Sequence, residues 1–167
     1  TTAQVGKLET ADLRSITTGA LAGLNSDHIK ALSSDEIGAL STGQVQVLNS
    51  DQLDGLTTAN VVALGTAQVA ALKSDQVVSL NSDQLRAIET GDIKALSTTA
   101  LRALDTDQIN ALKSTQLQSL TSGQITALST DQVQGLTTAN LNALGTDALA
   151  RFSSTQVKAL TTEQINN

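Results

Sequence analysis

The chain has 167 residues, a net charge of −6 and one aromatic residue, and it contains no Cys, Met, Pro, Trp or Tyr. The lack of cysteine excludes disulfide bonds and thiol chemistry, and an acidic chain without a basic stripe or stacking aromatics is a poor candidate for binding nucleic acid or anionic membranes. Its apolar runs are too short to cross a bilayer, so we expect no membrane insertion. A core must then be built from Leu, Val, Ile and Ala, which favours many thin layers.

An eight-residue repeat runs through the whole chain without insertion or deletion, as twenty full octads and a final seven-residue unit. Counting from Thr1, position 2 is Ser or Thr in all 21 units and position 5 is Val, Ile or Leu in all 21. Position 8 is Leu, Ile or Phe in the 20 units that have one. Such short, fixed self-similarity is typical of a solenoid in which each repeat contacts only its neighbours.

The spacing of the apolar positions selects the backbone of each octad. On a strand, positions 5 and 8 would lie on opposite faces. In one continuous helix the mean apolar spacing of four residues would turn the stripe by about 80° per octad. A short helix over roughly positions 2 to 7 or 8, followed by a tight corner, places both positions on one face. We therefore predict an all-α solenoid of very short helices, one per octad, with a single continuous apolar core.

Two frames compete for the N-cap of these helices. With position 1 as N-cap, Gln at position 4 completes a capping box, as residues 129–136 illustrate. Position 1 is Lys, Glu or Gly in six octads, however, whereas position 2 always carries a hydroxyl, so capping from position 2 must serve at least those six. The candidate structural caps at position 2 are Thr2, Thr10, Thr18, Ser26, Ser34, Thr42, Ser50, Thr58, Thr66, Ser74, Ser82 and Thr90.

The remaining columns fit the same helix. Position 3 is Asp in eight octads, where a carboxylate meets the positive end of the helix dipole. Position 7 is Ala, Gly or Ser in 17 of 21 units, which lets a neighbouring layer approach closely. The Gln column at position 4, for example Gln44, Gln76 and Gln108, either supplies hydrogen bonds between layers or provides surface polarity. One octad cannot fold alone because its two large aliphatic residues do not offset the entropy of ordering eight residues.

The array shows no linker, so we treat residues 1–167 as one solenoid domain. A weaker period of ten octads relates 1–80 to 81–160: the run 55–60 recurs as 135–140. This period indicates an expansion history, with a structural superperiod as the alternative. The terminal octads lack the polar capping units that solenoids usually need. We therefore expect either that the array continues in a longer chain or that copies stack head to tail.

Residues with chemical potential are few. His28 stands in the Gln column, where a polar substitution explains it better than a general base, since no orienting partner is evident. Acidic residues at position 3, such as the pairs Asp27/Asp35 and Asp75/Asp83, could form a calcium ladder. Stabilisation of the helix N-terminus accounts for them better, because no calcium-loop motif accompanies them. We predict no catalytic, cofactor-binding or metal-binding residue, no cofactor and no enzyme activity.

The octad 145–152 breaks three columns at once. It has Ala instead of Gln at position 4, and Arg151 and Phe152 replace a small and an aliphatic residue. A local packing adjustment is the simpler interpretation of this octad, and a binding spot is the alternative.

The runs 127–133 (ALSTDQV) and 159–165 (ALTTEQI) resemble ALTTxQV-type octad tracts of large bacterial surface or secreted repeat proteins, which are described as adhesin-like. The resemblance covers the whole chain and implies extracellular or cell-surface display and a structural role. It implies no catalytic residues.

Together these observations favour a structural repeat module of a bacterial extracellular fibre. It would be either a filament subunit that stacks end to end or the shaft of a surface adhesin, with itself as partner. Two alternatives stay open: a surface that binds ice or carbohydrate through the regular Ser/Thr column, and a scaffold for partner proteins. Against the hydroxyl surface, helix caps would already use those hydroxyls.

Overall fold

A computed structural model describes residues 1–166, and within this range the chain forms 21 short helices and no strand. Each helix begins at position 2 of its octad. The helices are α1 (Thr2–Val5), α2 (Thr10–Ser15), α3 (Thr18–Ala22), α4 (Ser26–Lys30), α5 (Ser34–Gly38), α6 (Thr42–Val45), α7 (Ser50–Asp54), α8 (Thr58–Val62), α9 (Thr66–Ala71), α10 (Ser74–Val78), α11 (Ser82–Ala87), α12 (Thr90–Ile93), α13 (Thr98–Ala103), α14 (Thr106–Ala111), α15 (Ser114–Gln118), α16 (Ser122–Ala127), α17 (Thr130–Gly135), α18 (Thr138–Leu144), α19 (Thr146–Leu149), α20 (Ser154–Ala159) and α21 (Thr162–Asn166).

The N-cap is the residue at position 1, not position 2. Ser41 illustrates the arrangement: its hydroxyl accepts a hydrogen bond from the backbone N–H of Gln44 at 3.2 Å, and its own N–H donates to the Gln44 side chain at 2.8 Å. Where position 1 is Gly65 or Lys73, no side-chain cap forms, yet the N–H of that residue still donates to the Gln at position 4. This half of the capping box is enough to begin a helix at position 2 in those octads.

The prediction of caps at position 2 is therefore wrong. The residues concerned are the first helical residues of their octads, and the N-cap lies one residue earlier in each case. The corrected residues are Thr2, Thr10, Thr18, Ser26, Ser34, Thr42, Ser50, Thr58, Thr66, Ser74, Ser82 and Thr90.

Corners between helices need no special residue. At a typical corner Leu72 has φ −61° and ψ 131°, and Lys73 has φ −82° and ψ 165°. Both values lie in the extended region that any L-residue adopts without strain. Two extended residues at positions 8 and 1 thus redirect the chain, which explains how the array does without proline and without glycine at most corners.

Successive turns of the solenoid recur every three and a half octads. Helices pack on the helix three places further along the chain, as α10 does on α13, and side-chain hydrogen bonds join residues 28 and 31 positions apart throughout the array. Because the interval is not a whole number of octads, each turn is offset from the one below by half an octad. Position 4 of one turn therefore lies over position 8 of the turn before it.

Positions 5 and 8 form one continuous core. All position-5 residues from Val5 to Leu141 and all position-8 residues from Leu32 to Leu144 are buried. The predicted all-α solenoid with a single apolar core is confirmed. The two ends of the core differ, because Leu8 is only partly buried at one end, whereas Val157 and Ile165 are 50% and 66% exposed at the other.

Small residues at position 7 allow the turns to approach closely. A Cβ built on Gly55 would lie 2.5 Å from the carbonyl oxygen of Ser26 in the turn below, so only glycine fits there. Position 7 of this turn thus lies against the backbone of position 2 of the preceding turn. No helix within residues 1–166 has the length and apolar character that crossing a membrane requires. The superperiod of ten octads stays a prediction.

Candidate functional site

The most regular polar feature is a ladder of glutamine side chains at position 4. Gln116 shows its geometry: the side-chain amide nitrogen donates to the carbonyl oxygens of Leu85 and Ile88, both at 2.8 Å, in the turn below. Its side-chain oxygen accepts from the N–H of Lys113 at 2.8 Å. One buried carboxamide therefore joins two turns and completes the N-terminus of its own helix.

The same arrangement recurs along the array. In each case the amide nitrogen donates to the position-8 carbonyl of the turn below, at 2.6–3.1 Å, and the side-chain oxygen accepts from the N–H of position 1. The ladder residues are Gln44, Gln52, Gln68, Gln76, Gln84, Gln108, Gln116, Gln124, Gln132, Gln156 and Gln164.

The ladder satisfies backbone groups that a short helix and a corner leave unpaired. The position-8 carbonyl lies in an extended corner, outside any helix ladder, and the N–H of position 1 precedes the helix. A buried polar group without a partner costs roughly 1–3 kcal/mol, so the ladder contributes to stability at every turn. Of the two interpretations of the Gln column, hydrogen bonding between layers is correct for these residues; ten of them are buried.

Several octads depart from the ladder. Asn60 is shorter and keeps one bond between turns, to the carbonyl oxygen of Leu32 at 3.2 Å, while its side-chain oxygen still accepts from the N–H of Thr57 at 3.0 Å. Asp92 is buried and accepts from the Thr66 hydroxyl of the turn below. Glu36 is also buried, at 6% exposure, and accepts from the N–H of Ser33. Ala100 is fully buried and has no side-chain group that could donate to the turn below.

His28 takes the place of a ladder glutamine near the start of the array. Its Nδ1 accepts from the N–H of Asn25 at 3.3 Å, and the Asn25 side chain accepts from the N–H of His28 at 3.0 Å. Both bonds belong to the capping box, which agrees with the prediction of a polar substitution.

The position-3 carboxylates do not gather into a cluster. Within residues 1–166, no group of three or more His, Cys, Asp or Glu is arranged to hold a metal ion. Asp27, Asp35, Asp75 and Asp83 instead lie in the first turns of their helices, as the helix-dipole interpretation predicts.

The irregular octad 145–152 is divided between the surface and the core. Arg151 is exposed and lines a cleft, whereas Phe152 is half-buried against the apolar core. The sequence pattern identifies both residues as irregular, but it does not predict the displacement of α19 that opens the cleft.

Short helices stacked at a constant interval around one apolar core define the chain as an α-helical solenoid repeat protein. The chain belongs to the ALTTAQ repeat family, whose model matches residues 5–42, 37–66, 58–87, 85–122, 111–138 and 138–167. The match at 111–138 has the length of one turn of the solenoid. A search of curated proteins finds none that matches this chain.

Proposed function

We propose that the chain is a structural repeat module of a bacterial extracellular fibre, in which turns of one kind are added along a single axis. The observation that carries the proposal is that the last turn offers the same groups that every internal turn uses to hold the next one. The role requires no catalysis and no cofactor.

The last turn has both components of an internal contact. Val157 and Ile165 occupy the core column yet are 50% and 66% exposed. The carbonyls of Phe152 and Leu160, at position 8, accept no hydrogen bond from any residue in 1–166. Inside the array a ladder glutamine donates to most of these position-8 carbonyls. A further turn, from the same chain or from a second copy, would cover the apolar residues, and glutamine at its position 4 would supply a donor to this face.

The first turn is complementary. Gln4 is exposed, and its amide nitrogen donates to no residue in 1–166, although its oxygen accepts from Thr1. Leu8, in the same octad, is partly exposed. Head-to-tail contact through these faces would continue the superhelix and give a filament, because such contacts do not close. The same continuation within a longer chain gives the shaft of an adhesin.

Negative-stain electron microscopy over a concentration series separates the two forms. Uniform fibres indicate a filament subunit if Ile165→Asp abolishes them and Val78→Asp does not. Val78 is the matched control because it is 40% exposed on the side of the solenoid. Discrete rods indicate the shaft.

Joining two copies in octad register tests the premise that the filament and the shaft share, namely that further turns continue the solenoid along its axis. Adjacent helices pack about 8–10 Å apart, so roughly six turns should add about 50–60 Å to the maximum dimension in X-ray scattering. A tandem chain that scatters as two independently tumbling bodies, or that grows in width instead, overturns the proposal. Surface labelling of intact cells with an antibody against residues 1–167 tests the extracellular location, and labelling only after lysis contradicts it.

A second candidate, a hydroxyl surface for ice or carbohydrate, gains support from the corrected cap assignment. Position-2 hydroxyls do not serve as caps, and Thr18, Thr42, Thr66 and Thr90 are exposed on the stacked helices α3, α6, α9 and α12. The octads 17–24, 41–48 and 65–72 carry no charged residue. The Thr66 hydroxyl donates to Asp92, however, so this row is partly engaged. Two assays test this candidate: inhibition of ice recrystallisation and retention on insoluble polysaccharide. If the protein neither slows recrystallisation nor is retained, the candidate is excluded.

A further inference from the structure

The octad 145–152 interrupts the solenoid. Helix α18 continues through Leu144, the corner position, and Gly145 has φ +79°, the only left-handed residue within 1–166. As a result α19 contacts α18, and its packing on α16, three places earlier, is weak. Elsewhere each helix begins after an extended corner and packs on the helix three places away.

This displacement opens a cleft of about 680 Å³ between α15–α16 on one side and α18–α19 on the other. Six polar side chains line it without a hydrogen bond or ion pair to any residue in 1–166: Gln118, Ser122, Asn142, Thr146, Asp147 and Arg151. A volume of this size lies in the range of small-molecule sites, about 300–1,000 Å³.

A missing ladder residue leaves an acceptor at the same place. Ala148 lies one turn of the solenoid after Leu120, where a glutamine would donate to the Leu120 carbonyl, and no residue in 1–166 replaces that bond. Loss of glutamine does not open a cleft by itself, because Ala100 occupies an equivalent position and is fully buried. The cleft requires the break at Gly145 as well.

The chemistry of the lining indicates what it would take. Asp147 and Arg151 balance in charge, so the cleft favours neither anions nor cations. The Leu120 carbonyl and Asp147 accept hydrogen bonds, Arg151 donates, and the amide and hydroxyl groups do both. A ligand hydroxyl also does both. Ala143 and Ala148, which are half-buried, add apolar surface on which the C–H face of a sugar ring can pack.

We propose that this cleft binds a neutral saccharide. The inference goes beyond the proposed structural role and does not depend on it, since a fibre module with or without a sugar site would form the same rods.

The test is a ¹H–¹⁵N NMR titration of the whole chain with glucose, galactose, mannose and N-acetylglucosamine and their neutral trisaccharides. We expect saturable shifts confined to residues 118–125 and 142–151 with at least one of these sugars. Arg151→Ala removes a donor, and Ala148→Gln introduces a side chain that occupies the Leu120 carbonyl. Each substitution should therefore weaken binding at least tenfold. Arg102→Ala and Ala100→Gln are the matched controls and should leave it unchanged.

Each variant is first shown to be folded by its spectrum, and Ala148→Gln is expected to fold at least as well as the parent because it restores a ladder bond. Absence of saturable shifts with every sugar overturns the proposal. So does binding that survives in both Arg151→Ala and Ala148→Gln, or saturation by sodium glucuronate or L-glutamine without any neutral sugar.

Discussion

Replacement of a ladder glutamine by methionine isolates the hydrogen bonds from the packing. In Gln116→Met the side chain keeps nearly the same length and volume, but it can neither donate to the carbonyls of Leu85 and Ile88 nor accept from the N–H of Lys113. Gln116 is 0% exposed, so water cannot readily replace these bonds.

The expected loss follows from the number of groups left without partners. Two buried carbonyls at roughly 1–3 kcal/mol each, and a smaller amount for the more accessible N–H, give a loss of about 2–7 kcal/mol in the free energy of unfolding. Urea denaturation followed by circular dichroism at 222 nm measures it, with the midpoint and slope compared separately because a repeat array can unfold in more than one step.

Gln108→Met is the matched control. Gln108 makes the same type of bonds, at 2.9 Å to Val78 and 3.1 Å to Leu80, but it is half-buried, so water can reach at least the exposed Val78 carbonyl. Its loss should stay below about 1.5 kcal/mol. Equal effects of the two substitutions, or a loss under about 1 kcal/mol for Gln116→Met, would refute the role assigned to the ladder.

Three further predictions concern the spacing and chemistry of the turns. Gly55→Ala forces a Cβ against the Ser26 backbone and should lower the melting temperature. Gly91→Ala is the control: a Cβ there meets nothing within 4 Å, so this substitution should raise the free energy of unfolding by about 0.5–1 kcal/mol. Equal effects of the two substitutions in thermal melts would contradict the close approach at Gly55. Glu36→Gln supplies the amide donor that the Leu8 carbonyl lacks and should stabilise the fold by about 1 kcal/mol in urea, and a loss of stability would count against the inter-turn bond. Deletion of residues 113–120, one whole octad, should keep a cooperative helical circular dichroism spectrum. Deletion of residues 117–120 moves position 4 of each later octad away from position 8 of the turn below and should abolish the cooperative transition. A half-octad deletion that still unfolds cooperatively would show that this register is not required.

The position of the caps shows the limit of reasoning from column strictness. Position 2 is invariant in type, which favours it as the cap, yet Gly65 and Lys73 at position 1 still precede helices because Gln68 and Gln76 accept their N–H groups. Position 2 is instead the first helical residue, and at Ser26 its backbone lies against Gly55 of the next turn. The invariance of a column therefore does not identify the residue that caps the helix.

Octad 145–152 shows the converse. Arg151, Phe152 and the absent glutamine mark the octad as irregular in the sequence, but the continuation of α18 through Leu144 is not readable there. The preceding octad, 137–144, departs from the pattern at position 4 by Asn140, and octad 57–64 carries the same substitution without a displaced helix. Only the positive φ of Gly145 and the displacement of α19 reveal how the irregularity becomes a cleft.

The amino-acid sequence by itself determines the unit of this protein: one short helix per octad, core residues at positions 5 and 8, and small residues where turns approach. These features follow from local periodicity and from the need to bury apolar side chains, both of which a single octad expresses. The tertiary structure alone decides that a turn spans three and a half octads and that position 4 meets position 8 of the turn below. Since the octads are nearly identical, no residue type shows which octad stacks on which; that choice depends on the rotation summed over successive corners, and each corner contributes backbone angles that any residue can adopt.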